Sequence, residues 1–208
     1  GDAPVIAVSD LEQETLANAD GKLRVLLGDA RRAWELLYFH APATVQVWLA
    51  TQAWATEPTY HNDIRVTLYG LDTGTGTTIP LDVDFGTALT LRDAALSTLE
   101  PAPGDLLRIT TNWFTNEQAP EWKFSLRLED AAGQPVQVID YTPQNWFAPT
   151  NAWVVGQPAR DQRGILLPAD LAPGEYRLTL RLYDPATGAP IDTARGQDVE
   201  LARLRIQP

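Results

Sequence analysis

The stretch from Leu167 to Ile191, LPADLAPGEYRLTLRLYDPATGAPI, constrains this chain more than any other. Pro173-Gly174 forms a turn dipeptide, because proline fixes φ while glycine accepts positive values. Tyr176, Leu178, Leu180 and Leu182 then fall on one face of an extended chain, with Arg177, Thr179 and Arg181 on the other. That period of two belongs to a β-strand with one buried face. The run Asp184-Pro185-Ala186-Thr187-Gly188 predicts a second turn.

The same pattern returns faintly upstream. Ile64 to Ile79 (IRVTLYGLDTGTGTTI) aligns without a gap to Tyr176 to Ile191, and Arg65, Thr67, Leu68, Asp72, Thr75, Gly76 and Ile79 match their counterparts. A duplicated sandwich module would produce this pattern; so would any strand followed by a D-x-x-T-G turn.

Frequent turn residues and short runs rich in Val, Ile, Leu, Thr, Trp and Tyr extend the β reading to the whole chain. Strands are expected at Lys22–Leu27, Ala33–Phe39, Ile64–Leu71, Ile79–Phe85, Asp93–Leu99, Leu106–Trp113, Trp122–Leu128, Val136–Tyr141 and Val199–Ile206, and Val45–Ala50 alternates imperfectly. Ser9 and Glu12 have capping-box spacing, predicting one short helix from Asp10 to Ala19. The expected fold is therefore all-β: two packed antiparallel β-sandwich modules, Ig-like or jelly-roll-like, with at most one short N-terminal helix. The expected division is residues 1–85 and 86–208.

Sixteen basic residues stand against 27 acidic ones, a net charge of −11. Such a surface repels nucleic-acid phosphates and anionic headgroups, which argues against either as a partner. The chain has no cysteine and only two histidines, His40 and His61. That excludes disulfides and thiolate chemistry and leaves little for a zinc site or a Ser-His-Asp triad. No stretch approaches the roughly 20 apolar residues of a spanning helix, so direct membrane insertion is not expected. The chain has no methionine and begins Gly1-Asp2, which suggests a piece of a longer protein whose remainder holds a signal or membrane spans.

From Leu89 to Ile206 the order of motifs is distinctive. Asp84-Phe85-Gly86 is followed by Pro103-Gly104-Asp105, Trp113, Asp130 with Gly133, Asp140, Trp153, Gly156 and Asp161, and then the dense run from Pro168 to Gly188. This resembles the C-terminal β-sandwich of bacterial membrane glycosyltransferases of the dolichyl-phosphate-mannose protein mannosyltransferase type, and of related surface proteins. The resemblance covers about 120 residues; the first 85 match less well. It implies an extracytoplasmic, non-catalytic accessory domain, tethered through a segment outside this sequence, with the membrane-embedded remainder of its own chain as a partner.

The residues themselves leave other functions open. The loop from Tyr141 to Trp153 gathers aromatics, amides and hydroxyls. Sugars stack C–H faces on aromatic rings while amides bond their hydroxyls, so Tyr141, Asn145, Trp146 and Trp153, with Trp122, form a candidate glycan platform. The bland alternative has these aromatics closing one end of the sandwich. Glu117 and Glu121 are a candidate glycosidase pair, which needs carboxylates roughly 5–10 Å apart across a sugar; a solvated acidic loop is the plainer reading. Asp82, Asp84, Asp192 and Asp198 offer oxygen ligands for calcium but lack EF-hand spacing. Asp161 and Asp184 read as turn caps that accept backbone N–H groups. No cofactor, metal or catalytic residue is expected.

Overall fold

The computed structural model describes residues 15–38, 43–72, 74 and 76–208. The chain divides into two compact units, residues 1–73 and 74–208.

The first unit is built from α1 (Leu16–Leu27), β1 (Arg32–Tyr38), α2 (Ala43–Gln52), β2 (Trp54–Ala55), β3 (Thr59–His61) and β4 (Ile64–Gly70). β4 is flanked by β1 on one side and by β2 and β3 on the other, all antiparallel. The chain is mostly β, as expected, but this unit carries two helices, which corrects the limit of one short helix. The stretch read as a strand at Lys22–Leu27 is the second half of α1. Thr15 caps it by accepting the N–H of Asn18, and Asp20 pairs with Arg24 one turn later at 2.9 Å. Ala19 and Leu23, four residues apart, form its buried face. Val45–Ala50 is likewise helical, with Val45, Trp48 and Leu49 buried at the i, i+3, i+4 spacing of one helix face. These side chains share a core with Ala55, Tyr69 and Leu71. The expected helix start at Ser9 and Glu12 lies outside the described residues, as does His40.

The second unit is a β-sandwich. Its strands are β5 (Thr77–Phe85), β6 (Leu89–Leu96), β7 (Leu106–Thr115), β8 (Lys123–Glu129), β9 (Pro135–Tyr141), β10 (Pro158–Leu166), β11 (Gly174–Tyr183) and β12 (Val199–Ile206). One sheet runs β10-β7-β6-β5 and the other β12-β11-β8-β9, with every pair antiparallel. β5 pairs with β6 from Thr77 to Phe85, so the sandwich begins well before the boundary expected at Phe85-Gly86. A cut there would strip an edge strand from its sheet.

β11 follows the alternation of its sequence. Tyr176, Leu178, Leu180 and Leu182 are buried in the sandwich core with Leu126, Leu128, Leu201 and Leu204. Thr179 departs from the expected outward pattern: it is buried and its hydroxyl reaches Glu129 at 3.5 Å. The turn after β11 closes with the N–H of Gly188 on the carbonyl of Asp184 at 2.8 Å, while Oδ1 of Asp184 accepts the N–H of Ala186. The D-x-x-T-G echo upstream has a different setting. Its strand, β4, packs with the helices of the first unit, and the chain divides between residues 73 and 74 just after it. The echo does not mark a repeated sandwich.

Aromatic rings dominate the centre of the sandwich. The Trp113 ring lies 5.1 Å from Phe124, 5.4 Å from Phe85 and 5.9 Å from Trp153, all tilted. Such offset geometry suits the ring quadrupoles and adds to the burial of large apolar area.

Candidate functional site

The long connection between β9 and β10, residues 142–157, carries the most unusual backbone of the sandwich. Gln144, Asn145 and Trp146 have φ of 50°, 50° and 75°, three successive left-handed residues without a glycine. Each such residue costs about 1–2 kcal/mol from the crowding of Cβ against the carbonyl. A segment with that cost persists only where neighbouring groups hold it.

Asp161 holds it from β10. Its buried carboxylate accepts the Tyr141 hydroxyl on Oδ2 at 2.9 Å and the backbone N–H of Gln144 on Oδ1 at 2.7 Å. The Gln144 side chain donates to the carbonyl of Arg160 at 2.5 Å. Nη1 of Arg163 donates to Oδ1 of Asn145 at 3.1 Å, and the Arg163 guanidinium lies 4.7 Å from the Tyr141 ring centroid. Hydrogen bonds involving a charged group contribute about 1.5–3 kcal/mol each, enough to offset the strain of three residues. Burial pushes the Asp161 carboxyl above its ordinary range, while the bonds from Gln144 and Tyr141 and the charge of Arg163 pull against that rise. Burial, and the carboxylate beside it, also push the Tyr141 phenol well up.

The product of this bracing is one exposed indole. Trp146 is 67% exposed, and the ammonium of Lys123 lies 3.4 Å from its ring centroid. Lys123 also donates to the Thr142 hydroxyl, and partial burial lowers its pKa. Phe147 follows, also exposed.

The five candidate platform residues therefore separate. Trp146 is presented to solvent, and Asn145, half-buried, supports the loop through Arg163. Trp153, Trp122 and Tyr141 are buried and belong to the sandwich core, which corrects their assignment to a stacking surface. Trp153 donates its indole N–H to the carbonyl of Ala148 at 2.9 Å and packs edge-on to Phe124. The backbone N–H of Trp122 bonds the Thr150 hydroxyl at 2.8 Å. The Tyr141 ring stands edge-on to Phe124. A buried ring cannot stack a sugar, and all three rings are spent on packing the core.

Three residues of the assembly had no site signal in the sequence. Lys123 sits at the start of a strand, Gln144 reads as a plain polar loop residue, and Arg163 reads as an outward charge. Asp161 reads in the sequence as a turn cap; it lies within β10 instead and accepts the backbone N–H of Gln144, 17 residues upstream.

The other candidate groups do not converge. Glu117 and Glu121 are both exposed, and Glu117 accepts the Thr87 hydroxyl at 2.7 Å. Asp82 pairs with Arg92, Asp84 accepts from Thr90, Asp192 accepts from Gln197, and Asp198 takes both nitrogens of Arg181. Among the described residues no group of three or more His, Cys, Asp or Glu side chains is placed to hold a metal ion. None of the described helices is long and apolar enough to cross a membrane.

No protein-family model matches the chain, and no curated protein matches it. Among solved structures it is similar to one titled "Crystal structure of the C-terminal domain of wzt", at 11% identity and a TM-score of 0.42, over 65% of this chain and 80% of that chain.

Proposed function

We propose that this chain is a non-catalytic, extracytoplasmic accessory module of a larger membrane or surface protein, a glycosyltransferase being the parent that its motif order suggests. The observation that carries the reading is the use of Asp161. This buried carboxylate is spent on structure; it accepts the Tyr141 hydroxyl and the Gln144 backbone N–H. The acidic residues that could break a glycosidic bond, Glu117 and Glu121, are exposed instead, where water is not excluded. Synthetic glycosides incubated with the purified chain test the catalytic half of this proposal. No turnover is expected; hydrolysis lost in Glu117→Gln or Glu121→Gln would overturn it. An epitope tag on the chain within its native parent tests the location. Antibody access in intact cells is expected, and access only after lysis would reject an extracytoplasmic site.

The exposed indole favours a second, more specific reading: the module binds a glycan through Trp146. An aromatic ring held out on a strained, braced loop is preorganised for C–H stacking. Affinity electrophoresis on a panel of polysaccharides is expected to show retardation that Trp146→Ala removes. Absence of retardation across the panel would reject this reading and leave the accessory role in place.

A further inference from the structure

Only two of the 16 basic residues are lysines, Lys22 and Lys123. Arg24, Arg65, Arg92, Arg177, Arg181 and Arg203 each reach a carboxylate at 3.1 Å or less. Lys123 does not. Its ammonium donates to the Thr142 hydroxyl and lies 3.4 Å from the Trp146 ring centroid. Among the described residues no carboxylate forms an ion pair with it. Glu121, two residues earlier, acts on it only through space, and Asp140 acts on Tyr183 and Arg181 instead.

Tyr183 of β11 stands directly across the ladder from Lys123, on the same face of the sheet. Two aromatic side chains and a hydroxyl thus stand beside one ammonium that no acid neutralises. A ligand stacked on either face of the Trp146 ring lies within roughly 8 Å of that charge, inside a Debye length at physiological salt. On one face it takes the place that the ammonium now holds. On the other it meets a ring whose π density the ammonium already draws. Both arrangements handicap a neutral sugar, whose C–H groups compete with the ammonium for the same π density. A sugar that carries an anionic group turns this competition into attraction, because the ammonium gains an ion-pair partner. Partial burial lowers the pKa of Lys123, and a bound anion would act in the opposite sense.

We propose that Trp146 and Lys123 together form a subsite for an anionic sugar, the indole stacking the sugar ring and the ammonium pairing with its carboxylate or sulfate group. The inference rests on the glycan reading above and names the class of sugar. The net charge of −11 opposes a polyanion over the surface as a whole. Capture of an acidic glycan therefore depends on this local pair and not on diffuse attraction. Both members are set in place before a ligand arrives: Asp161 holds the loop backbone at Gln144, and Thr142 holds the ammonium.

Binding of the full chain to arrayed oligouronates, to sulfated oligosaccharides and to carboxyl-reduced, neutral counterparts of the same oligouronates tests the proposal. The anionic sugars are expected to bind at least about tenfold more tightly than the neutral ones, and less tightly as salt is raised. Preference for uronates or for sulfated sugars identifies the anionic group, and either supports the proposal. Trp146→Ala, which keeps the charge, and Lys123→Gln, which keeps the ring, are each expected to lose this binding, while Lys123→Arg retains it. Acetylation of a folded Lys22→Arg chain, in which Lys123 is the only side-chain amine, removes the charge without refolding and is expected to match Lys123→Gln. Equal binding of neutral and anionic sugars, lost in Trp146→Ala, overturns the proposal and leaves the glycan reading standing. Anionic binding that survives Trp146→Ala or the neutralised Lys123 also overturns it. Binding to none of the arrayed sugars overturns both.

Discussion

The hydroxyl of Tyr141 donates to Oδ2 of Asp161 across 2.9 Å, and this bond fastens the last residue of β9 to the middle of β10. The other oxygen of the same carboxylate holds Gln144, the first of the three left-handed residues. One buried group thus joins sheet packing to loop shape. Tyr141→Phe removes the donor and leaves Asp161 buried with one partner fewer. The expected loss is about 1–3 kcal/mol in the stability of the sandwich, read from denaturant unfolding. A loss within experimental error would mean that the Gln144 N–H and Arg163 hold Asp161 unaided.

Asp161 gives the sandwich a pH signature. Burial raises its pKa in the folded state above the unfolded value, so the folded chain holds the proton more tightly. Its contribution to stability is fully present below the ordinary carboxylate pKa of 3.8 and declines as pH rises through the raised folded value. The stability difference between the native chain and Asp161→Asn should therefore be largest in acid and fall to a lower plateau above. Urea unfolding of both proteins across acid and neutral pH measures it. A difference that grows with pH would mean that the hydrogen bonds outweigh burial and hold the folded pKa below the unfolded one.

Trp146 separates strain from recognition. Trp146→Ala and Trp146→Gly both remove the indole and its contact with Lys123, and differ only in how they tolerate φ of 75°. The glycine variant is expected to be more stable than the alanine variant by about 1 kcal/mol, since only glycine occupies that region without a Cβ clash. Both are expected to lose any glycan retardation. Equal stabilities in a thermal melt would show that the loop relaxes once the ring is gone.

Trp153 behaves differently despite lying in the same loop. It contacts Trp113 and Phe124 inside the sandwich. Trp153→Ala leaves a large cavity and is expected to cost about 3–5 kcal/mol. Any loss of ligand binding should then track the unfolded fraction across a denaturant series. A stable Trp153→Ala protein that still fails to bind would return this residue to the recognition surface.

The contrast between Trp146 and Trp153 marks how far local reading goes. Both are tryptophans in one polar, proline-bearing loop, and nothing in their neighbours distinguishes them. The difference comes from Asp161, Arg163 and the Gln144 amide, which turn the backbone at Gln144–Trp146 outward from a strand many residues away. The helices raise the same issue. Lys22–Leu27 and Val45–Ala50 carry β-branched and aromatic residues that suit a strand, yet both coil because Leu23, Val45, Trp48 and Leu49 can bury one face together against β4.

The amino-acid order by itself determined β11 and its turns. Alternation, Pro173-Gly174 and the carboxylate cap of Asp184 act between residues close along the chain. The tertiary structure alone decided that the first unit is helical on one face, that Trp122, Tyr141 and Trp153 lie inside, and that Trp146 lies outside. Burial depends on which distant surfaces meet, and packing many side chains at once outweighs the fraction of a kcal/mol by which local propensity separates helix from strand.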